Sequence, residues 1–215
     1  MDPRPYIPAL GHRRLTPFYD LVLRWVFRED VFKRRLVQLV DPRPGQRVLD
    51  IGCGTATLTI MLKQAQPAAE VVGLDGDPEV LAIGRAKAAE AGVELTLEHG
   101  LATTLPYPDA SFDLVVTSLM LHHLDTVDKE RALAEAGRAL RPGGVLYVLD
   151  IGEARGAAGR LLAPVVRRLE RAADNVDGKI PRMLRAAGLT QIVEVERFSA
   201  LFGLITIQRA SKEIL

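Results

Sequence analysis

The residues whose types and spacing indicate chemistry most clearly lie in one stretch, Val48-Leu-Asp-Ile-Gly-Cys-Gly-Thr-Ala56. An apolar run ends in Asp50, and the turn Gly52-Cys53-Gly54 comes directly before a segment of helical pattern that begins at Thr55. Glycines permit a tight turn and the close approach of the backbone to a ligand, and the start of a helix offers unpaired N–H groups. The stretch therefore predicts a strand, a turn and a helix that together bind a nucleotide-like ligand.

A second acidic position follows the next apolar run. The segment Val71-Val-Gly-Leu-Asp75-Gly76-Asp77-Pro78 places Asp75 at the end of a strand, 23 residues after Gly52. That position suits a carboxylate that accepts hydrogen bonds from both hydroxyls of a ribose. The alternative is an ordinary turn aspartate, which is common where a strand ends before glycine. Asp77 precedes Pro78 and is predicted to cap the next helix, which leaves Asp75 as the ribose ligand.

Alternating strands and helices must position these two turns. Strands are predicted at 46–51, 70–74, 93–98, 112–118 and 144–150, and helices at 55–65, 78–91, 127–140 and around 157–174. Alternation with short connections indicates a parallel sheet with helices on both faces. Two further strands, Gln191–Phe198 and Gly203–Arg209, are separated by only a few residues, so they are expected to form an antiparallel hairpin.

The first motif resembles that of the class I S-adenosylmethionine (SAM) methyltransferase superfamily, which is written D/E-x-G-x-G-x-G. Asp50, Gly52 and Gly54 match it, and Ala56 takes the place of the last glycine with another small side chain. A dinucleotide-binding turn would need G-x-G-x-x-G, and Thr57 stands at the position of its third glycine.

Later segments extend the resemblance over about residues 16–150. Residues 98–102 and 105–113 are similar to the G-D-A, L-P-F and S-F-D elements of the superfamily, and residues 141–144 are similar to its R/K-P-G-G turn. The resemblance implies an α/β fold: a Rossmann-like, seven-stranded, mostly parallel sheet with a C-terminal antiparallel hairpin and helices on both faces.

The resemblance also implies SAM as the cofactor and a set of residues that bind it. These are Asp50, Gly52, Cys53, Gly54, Thr55, Asp75, Gly76, Leu101, Ala102, Ser118 and Leu119. Leu101 stands where the superfamily often has an aspartate that contacts the adenine amino group, and an apolar side chain there can still pack on the adenine face.

Three residues are candidates for a catalytic role. His122 and His123 follow the fourth predicted strand and match an H-H-L signature of these enzymes. Adjacent residues do not point the same way, so one of them at most is expected to face the acceptor and remove its proton; the alternative is that both only pack and form hydrogen bonds. Tyr19 resembles the tyrosine of a Y-D element in methyltransferases of the ubiquinone/menaquinone type, where it would contact the cofactor or orient the acceptor, or else pack as a helix aromatic.

The substrate is expected to depend on two regions outside the central sheet. Residues 1–40 are predicted as an N-terminal helical cap, with helices from Thr16 and over about Asp30–Val40. Residues 41–215 would form the SAM-binding domain, with 152–180 as a helical insertion. The apolar stripe of this insertion belongs either to an ordinary amphipathic helix or to a lid over a hydrophobic acceptor.

Charge and composition limit the partners. A net charge of +1 gives no general attraction to nucleic acid, although residues 1–35 carry a local excess of basic side chains. That excess is either a solvated helix face or a weak guide to an anionic substrate or a membrane surface. The single cysteine, a first segment without an apolar run and the lack of a membrane-length apolar stretch predict a cytoplasmic protein, and no spacing of ligands suggests a metal. The oligomeric state stays open.

The function expected from these features is methyl transfer from SAM to a small molecule by in-line displacement. The acceptor could be a metabolite, a quinone-like ring or a lipid precursor. The alternative is a non-catalytic SAM-binding or interaction module on the same fold, to which the departures at Ala56 and Leu101 point. Methylation of RNA is a weaker hypothesis, because the sequence has no large excess of basic residues and no combination of aromatic and basic residues that would bind RNA.

Overall fold

A computed structural model of the chain describes residues 29–155, 163, 164, 167, 171–200 and 203–214. The strands in this part are β1 (Arg47–Ile51), β2 (Glu70–Asp75), β3 (Thr96–His99), β4 (Phe112–Ser118), β5 (Leu140–Ile151), β6 (Leu189–Ala200) and β7 (Gly203–Lys212). The helices are α1 (Glu29–Val40), α2 (Thr57–Ala65), α3 (Pro78–Glu90), α4 (Thr126–Ala139), α5 (Ala173–Val176) and α6 (Ile180–Ala186), and a 3₁₀ turn covers Leu121–His123.

The seven strands form one sheet in the order β3-β2-β1-β4-β5-β7-β6. The first five strands pair in parallel, and β7 runs antiparallel to both β5 and β6. The order reverses between β1 and β4, which is where open α/β sheets bind ligands beyond the carboxyl ends of their strands. The predicted fold class, including the C-terminal hairpin, is therefore confirmed.

Alternating side chains of the central strands bury two opposite faces of the sheet. Leu49 and Ile51 pack in a cluster that includes residues of α4 and α6. Val48 points the other way and packs with residues of α1 and α2. Strands buried on both faces read as continuous apolar runs, which explains why the sequence of β1 lacks a polar alternation.

The predicted start of β3 was wrong by three residues. Strand β3 begins at Thr96 rather than at 93. The N–H of Val93 donates to Ala88 O and Gly92 takes a φ of 65°, so both residues belong to the C-terminal cap of α3. A β-branched residue after a glycine thus completes a helix end here instead of opening a strand.

Two other boundaries moved for reasons of backbone conformation. Helix α2 begins at Thr57 because Ala56 takes a left-handed φ of 59°, so Thr55 and Ala56 extend the turn. Strand β5 begins at Leu140 rather than at 144, with a register irregularity opposite Phe112 and a φ of 79° at Gly143. The R-P-G-G segment is therefore an irregular start of the strand itself.

The two predicted substrate regions are only partly described. Helix α1 agrees with the predicted helix over 30–40, and it buries Phe32, Leu36 and Val40 in the core. The helix predicted from Thr16, the candidate Tyr19 and most of the predicted 157–174 helix lie outside the described residues, so the cap and the lid stay predictions. No helix within the described ranges is both long enough and apolar enough to cross a membrane.

Candidate active site

The glycine turn after β1 is fastened to the end of β2. The N–H groups of Gly52 and Cys53 both donate to Leu74 O, at 2.8 and 3.0 Å. Gly52 has a φ of 71°, and a Cβ there would lie 2.4 Å from Cγ of Met120. A Cβ at Gly54, whose φ is 54°, would meet no atom of the described residues within 4 Å. Gly52 is therefore required by its positive φ and by the close approach of Met120. Gly54 instead borders open space that a ligand can occupy.

Asp75 ends β2 and faces this turn. Its Oδ2 accepts the N–H of Gly54 at 2.8 Å, and its Oδ1 accepts the N–H of Asp77 at 2.9 Å. Burial raises the pKa of Asp75, and these backbone donors oppose the rise. A carboxylate has about four acceptor positions, so capacity remains for the hydroxyls of a ribose. Asp77 accepts from the N–H groups of Glu79 and Val80, which confirms it as the N-cap of α3.

Asp50 is a buried carboxylate with one oxygen satisfied. It is 1% exposed, and its Oδ2 accepts the hydroxyl of Thr59 at 2.7 Å. Its Oδ1 has no hydrogen-bond partner among the described residues. Burial raises the pKa of Asp50 to about 6, although the hydrogen bond from Thr59 and the charge of Lys33 oppose the rise. Lys33, on α1, is only 9% exposed and was not predicted from the sequence as part of the site.

Three smaller candidates have partners within the protein. Cys53 is buried and burial raises the pKa of its thiol, so it fills space rather than reacts. Thr55 Oγ1 accepts from Nζ of Lys87 at 2.6 Å, which directs this hydroxyl to α3. The carbonyl of Gly76 lies 3.1 Å from Nε2 of His99. Cofactor contacts of these residues stay predictions, and for Thr55 the backbone N–H is the better candidate.

Leu101 and Ala102 follow β3 at the same edge of the sheet. His99 lies opposite Asp75 in the pairing of β3 with β2. Leu101 follows His99 by two residues, so it lies just beyond the level at which β2 ends in Asp75. Leu101 forms an isolated bridge with Thr104 and is 50% exposed, whereas Ala102 packs against the core. A leucine held at the rim in this way offers an apolar surface on which a flat aromatic ring can lie.

The end of β4 supplies the opposite wall. Ser118 Oγ is buried and has no hydrogen-bond partner in the described part of the chain. Leu119 has a φ of 54°, and its N–H donates to Leu149 O at 2.8 Å. A non-glycine residue in the left-handed region carries strain, and such strain often occurs at functional sites. Met120, which follows, closes against Gly52 and so joins the turns after β1 and β4.

His122 is paired with a carboxylate that the sequence analysis did not identify. Its Nδ1 lies 2.8 Å from Oδ1 of Asp150, which is 2% exposed at the end of β5. Burial by itself would raise the pKa of Asp150, but the charge and hydrogen bond of His122 hold it below its ordinary value. An ionised carboxylate only accepts hydrogen bonds, so Nδ1 carries a proton and the lone pair of the neutral ring lies on Nε2.

His123 packs beside His122, with ring centroids 4.0 Å apart and planes inclined by 46°. The pairing with Asp150 therefore distinguishes the two candidates: His122 has the oriented ring of an acid–base residue, and His123 contacts its face. Asp150 could have been found from the sequence, because Val-Leu-Asp150 comes one residue before the end of β5, much as Gly-Leu-Asp75 ends β2.

The site thus gathers the carboxyl ends of five parallel strands. The turns after β1, β2 and β3 form one side, and β4 with Asp150 of β5 forms the other. Neither Lys33 nor Met120 gave a signal in the sequence beyond an ordinary amphipathic pattern. No group of three or more His, Cys, Asp or Glu within the described ranges could hold a metal ion.

Comparison with known proteins agrees with this geometry. Residues 48–144 match the methyltransferase domain family. Over 138 residues the chain is 41% identical to the demethylmenaquinone methyltransferase of Thermus thermophilus. The matched region covers 63% of this chain and 62% of the relative. Residues 48–144 are thus similar to the methyltransferase domains of the class I superfamily. Its identity to the demethylmenaquinone methyltransferase of Deinococcus radiodurans is also 41% over 138 residues, there covering 56% of the relative. The matched region thus spans about three-fifths of the length of these curated relatives.

A solved structure of the superfamily has the same architecture. The SAM-dependent methyltransferase SibL in its apo form superposes with a TM-score of 0.71 at 25% identity, covering 96% of this chain and 60% of that one. The superfamily and the fold imply SAM as the cofactor. The residues present fit it: Gly54 borders open space, and Asp75 keeps acceptor capacity. Ser118 Oγ and Asp50 Oδ1 lack partners in the described part of the chain.

Proposed function

We propose that this protein transfers the methyl group of SAM to a small molecule with a quinone-like ring. The observation that carries the proposal is the cradle between β1 and β2. There the carboxylate of Asp75 accepts the N–H of Gly54, and the described part of the chain leaves open space beside that glycine. The names of the curated relatives support a quinone as the acceptor.

Different groups of the cradle would bind different parts of the cofactor. Asp75 would accept the ribose hydroxyls, and Leu101 would pack on the adenine. The backbone of the turn Gly52-Cys53-Gly54 would lie against the amino-acid end, near Ser118 and Leu119. Each contact uses a group that the fold already holds in place, so little conformational entropy would be lost on binding.

When bound, SAM supplies a sulfonium methyl group that needs no further activation. The protein has to align the accepting atom behind that methyl group and exclude water. It must also remove a proton from the acceptor, because a neutral acceptor that gains a methyl cation must lose a proton. His122, oriented by Asp150, would take that proton on Nε2.

Four aspects of the proposal rest on sequence alone. Tyr19 would contact the cofactor or orient the acceptor from the N-terminal cap. Contact with an anionic membrane surface, cytoplasmic location and the lid role of 152–180 likewise stay predictions. Co-sedimentation with anionic liposomes that is lost on reversing the charges of Arg13 and Arg14 would support the membrane contact, and its absence would count against it.

Transfer of a radiolabelled methyl group tests the activity. The protein is incubated with labelled SAM and a panel of demethylated naphthoquinols and benzoquinols, and labelled product is extracted and identified by mass. We expect turnover with at least one quinol, a large loss in His122→Ala and little change in the control His99→Gln. Binding of SAM without transfer to any acceptor, in a panel extended to other hydroxylated and amino compounds, would instead support the non-catalytic module.

A further inference from the structure

Asn175 lies beside the His122–Asp150 pair, on a short helix within the predicted insertion 152–180, and was not predicted from the sequence as part of the site. It is the single asparagine of the chain and is 1% exposed on the short helix α5. Its Nδ2 lies 3.3 Å from Oδ1 of Asp150 and 3.2 Å from the carbonyl oxygen of Ile151. Its Oδ1 has no hydrogen-bond partner among the described residues.

The orientation of this amide is fixed by its surroundings. A flipped side chain would place its oxygen against a carboxylate and a carbonyl, two groups that only accept hydrogen bonds. The nitrogen must therefore face Asp150, which leaves the buried oxygen of Asn175 without a donor among the described residues. An unsatisfied buried acceptor destabilises the folded state, because it has lost its hydrogen bonds to water. Stability alone gives no reason to keep an asparagine at this position.

The donors to Asp150 come from different parts of the chain. The N–H of Leu121 donates to Oδ2 at 2.9 Å, and the N–H of Ile151 donates to Oδ1 at 2.7 Å. These backbone donors and His122 belong to the ends of β4 and β5. Asn175 is the partner contributed by α5, so it links the carboxylate to the predicted insertion 152–180.

Helix α5 is fastened independently of Asn175. The neighbouring Asp174 accepts the hydroxyl of Thr126 at 2.7 Å and Nζ of Lys179 at 3.0 Å. Nζ of the buried Lys129 lies 3.6 Å from Asp174 and also donates to the carbonyl of Arg171. The start of α4 therefore holds α5 in place, and Asn175 is presented to Asp150 by a framework that does not depend on its amide.

We propose that Asn175 is a positioning residue for methyl transfer, whose amide orients the carboxylate of Asp150 and, through it, the ring of His122. The proposal rests on the proposed function. Oδ1 of Asp150 has three donors: Nδ1 of His122, the N–H of Ile151 and the amide of Asn175. Two of these donors are side chains, those of His122 and Asn175. Its removal leaves the carboxylate with fewer donors and with more freedom to turn.

Other charged groups near the pair are accounted for. His123 lies on the same 3₁₀ turn, Lys129 of α4 interacts with both Asp150 and Asp174, and Asp125 precedes α4. Asn175→Leu changes none of these groups. A change in the titration of His122 in that variant would therefore report the lost amide.

The test is a ¹⁵N NMR titration of the histidine side chains in the full chain, with the His122 signal assigned by its loss in His122→Gln. In Asn175→Leu we expect the midpoint of His122 to rise by about half a pH unit or more, because a carboxylate with one donor fewer binds the imidazolium more strongly. Gln208→Leu, which removes another buried amide, is the matched control and should leave the midpoint unchanged. If Asn175→Leu does not fold, Asn175→Ser should give a smaller shift in the same direction.

Kinetics give a second readout. With a quinol acceptor, Asn175→Leu should lower kcat about tenfold and leave the KM for SAM unchanged, in keeping with the loss of part of a general-base contribution. An unmoved His122 midpoint in a folded variant would overturn the proposal, as would an equal shift in Gln208→Leu. The NMR titration needs no turnover, so a shift of His122 in a protein that methylates nothing would refute the proposed function but keep the link from Asn175 to Asp150.

Discussion

The carboxylate of Asp75 accepts the N–H of Gly54 at 2.8 Å, although the two residues belong to turns that follow different strands. The acid that would bind the ribose and the turn that would approach the rest of the cofactor are therefore one hydrogen-bonded unit. Its parts are set before any ligand arrives, which lowers the cost of binding.

Replacement of Asp75 separates its two roles. Asp75→Ala removes both the backbone tie and the proposed ribose ligand, and we expect SAM to bind more weakly by about 1.5–3 kcal/mol. Asp75→Asn keeps one acceptor oxygen and should cost less than the alanine variant. Calorimetric titration of both variants checks this order, with Asp77→Asn as the control that keeps the N-cap. Unchanged affinity in Asp75→Ala would remove Asp75 from the site.

Gly52 is predicted to tolerate no side chain. Gly52→Ala would place a Cβ 2.4 Å from Cγ of Met120 and would put alanine at a φ of 71°. We expect a loss of about 2–4 kcal/mol in the free energy of unfolding, from overpacking and backbone strain together. Met120→Ala should recover part of the loss in the double variant. Urea denaturation of the four proteins measures the coupling, and strictly additive effects would contradict the contact. Gly45→Ala is the control for strain alone, because Gly45 has a φ of 78° and a Cβ there would meet no atom of the described residues within 4 Å.

Asp50 makes the stability of the protein depend on pH. Burial raises the pKa of Asp50 to about 6 from an ordinary 3.8. The fold thus favours the protonated form, and the cost of ionising the buried group appears as the pH rises from about 4 to about 6. Asp50→Asn removes that cost and should be more stable than the original protein by about 1–3 kcal/mol at pH 7.

The difference between the two proteins should shrink below pH 4, where Asp50 is protonated in both the folded and the unfolded state. Denaturation with urea at several pH values measures it. Asp109→Asn, which changes an exposed carboxylate, is the control. If the stability gain of Asp50→Asn over the original protein were smaller at pH 7 than at pH 4, the predicted direction of the pH dependence would be wrong.

Asp150 is predicted to matter for turnover and not for cofactor affinity. Asp150→Asn offers His122 an amide that can present either an oxygen or N–H groups to Nδ1, so the required tautomer is no longer enforced. We expect kcat to fall by about 10²–10⁴ while SAM still binds. Steady-state kinetics with a quinol acceptor, together with calorimetry, separates the two effects. A kcat close to that of the original protein would mean that His122 serves only packing.

Much of the fold could be predicted because its signals are local. The apolar runs of β1, β2 and β4 and the cap at Asp77 depend on residues close in the sequence, and the structure agrees with them. The start of β3 was missed because the αL conformation of Gly92 and the bond from Val93 to Ala88 O depend on how α3 ends. Apolar periodicity does not report that geometry.

The candidate residues that could be predicted from the sequence stand at the ends of strands. Those that could not be predicted are brought together by packing between distant segments. Asp50 and Asp75 stand at strand ends beside glycines, which the sequence displays directly. The pairing of His122 with Asp150 joins residues 28 positions apart, and Asn175 reaches the same carboxylate from a helix of four residues. Such meetings follow from the order of strands in the sheet and from the path after β5, neither of which a spacing of residue types encodes.

The most direct measurement is calorimetric titration of the purified protein with SAM, with its demethylated product and with NAD. Binding by the cradle between β1 and β2 predicts saturable binding of SAM and of the product in the micromolar range, about −8 kcal/mol, and no heat with NAD. The absence of binding for both SAM and its product, or binding of NAD in their place, would contradict SAM as the ligand of this site.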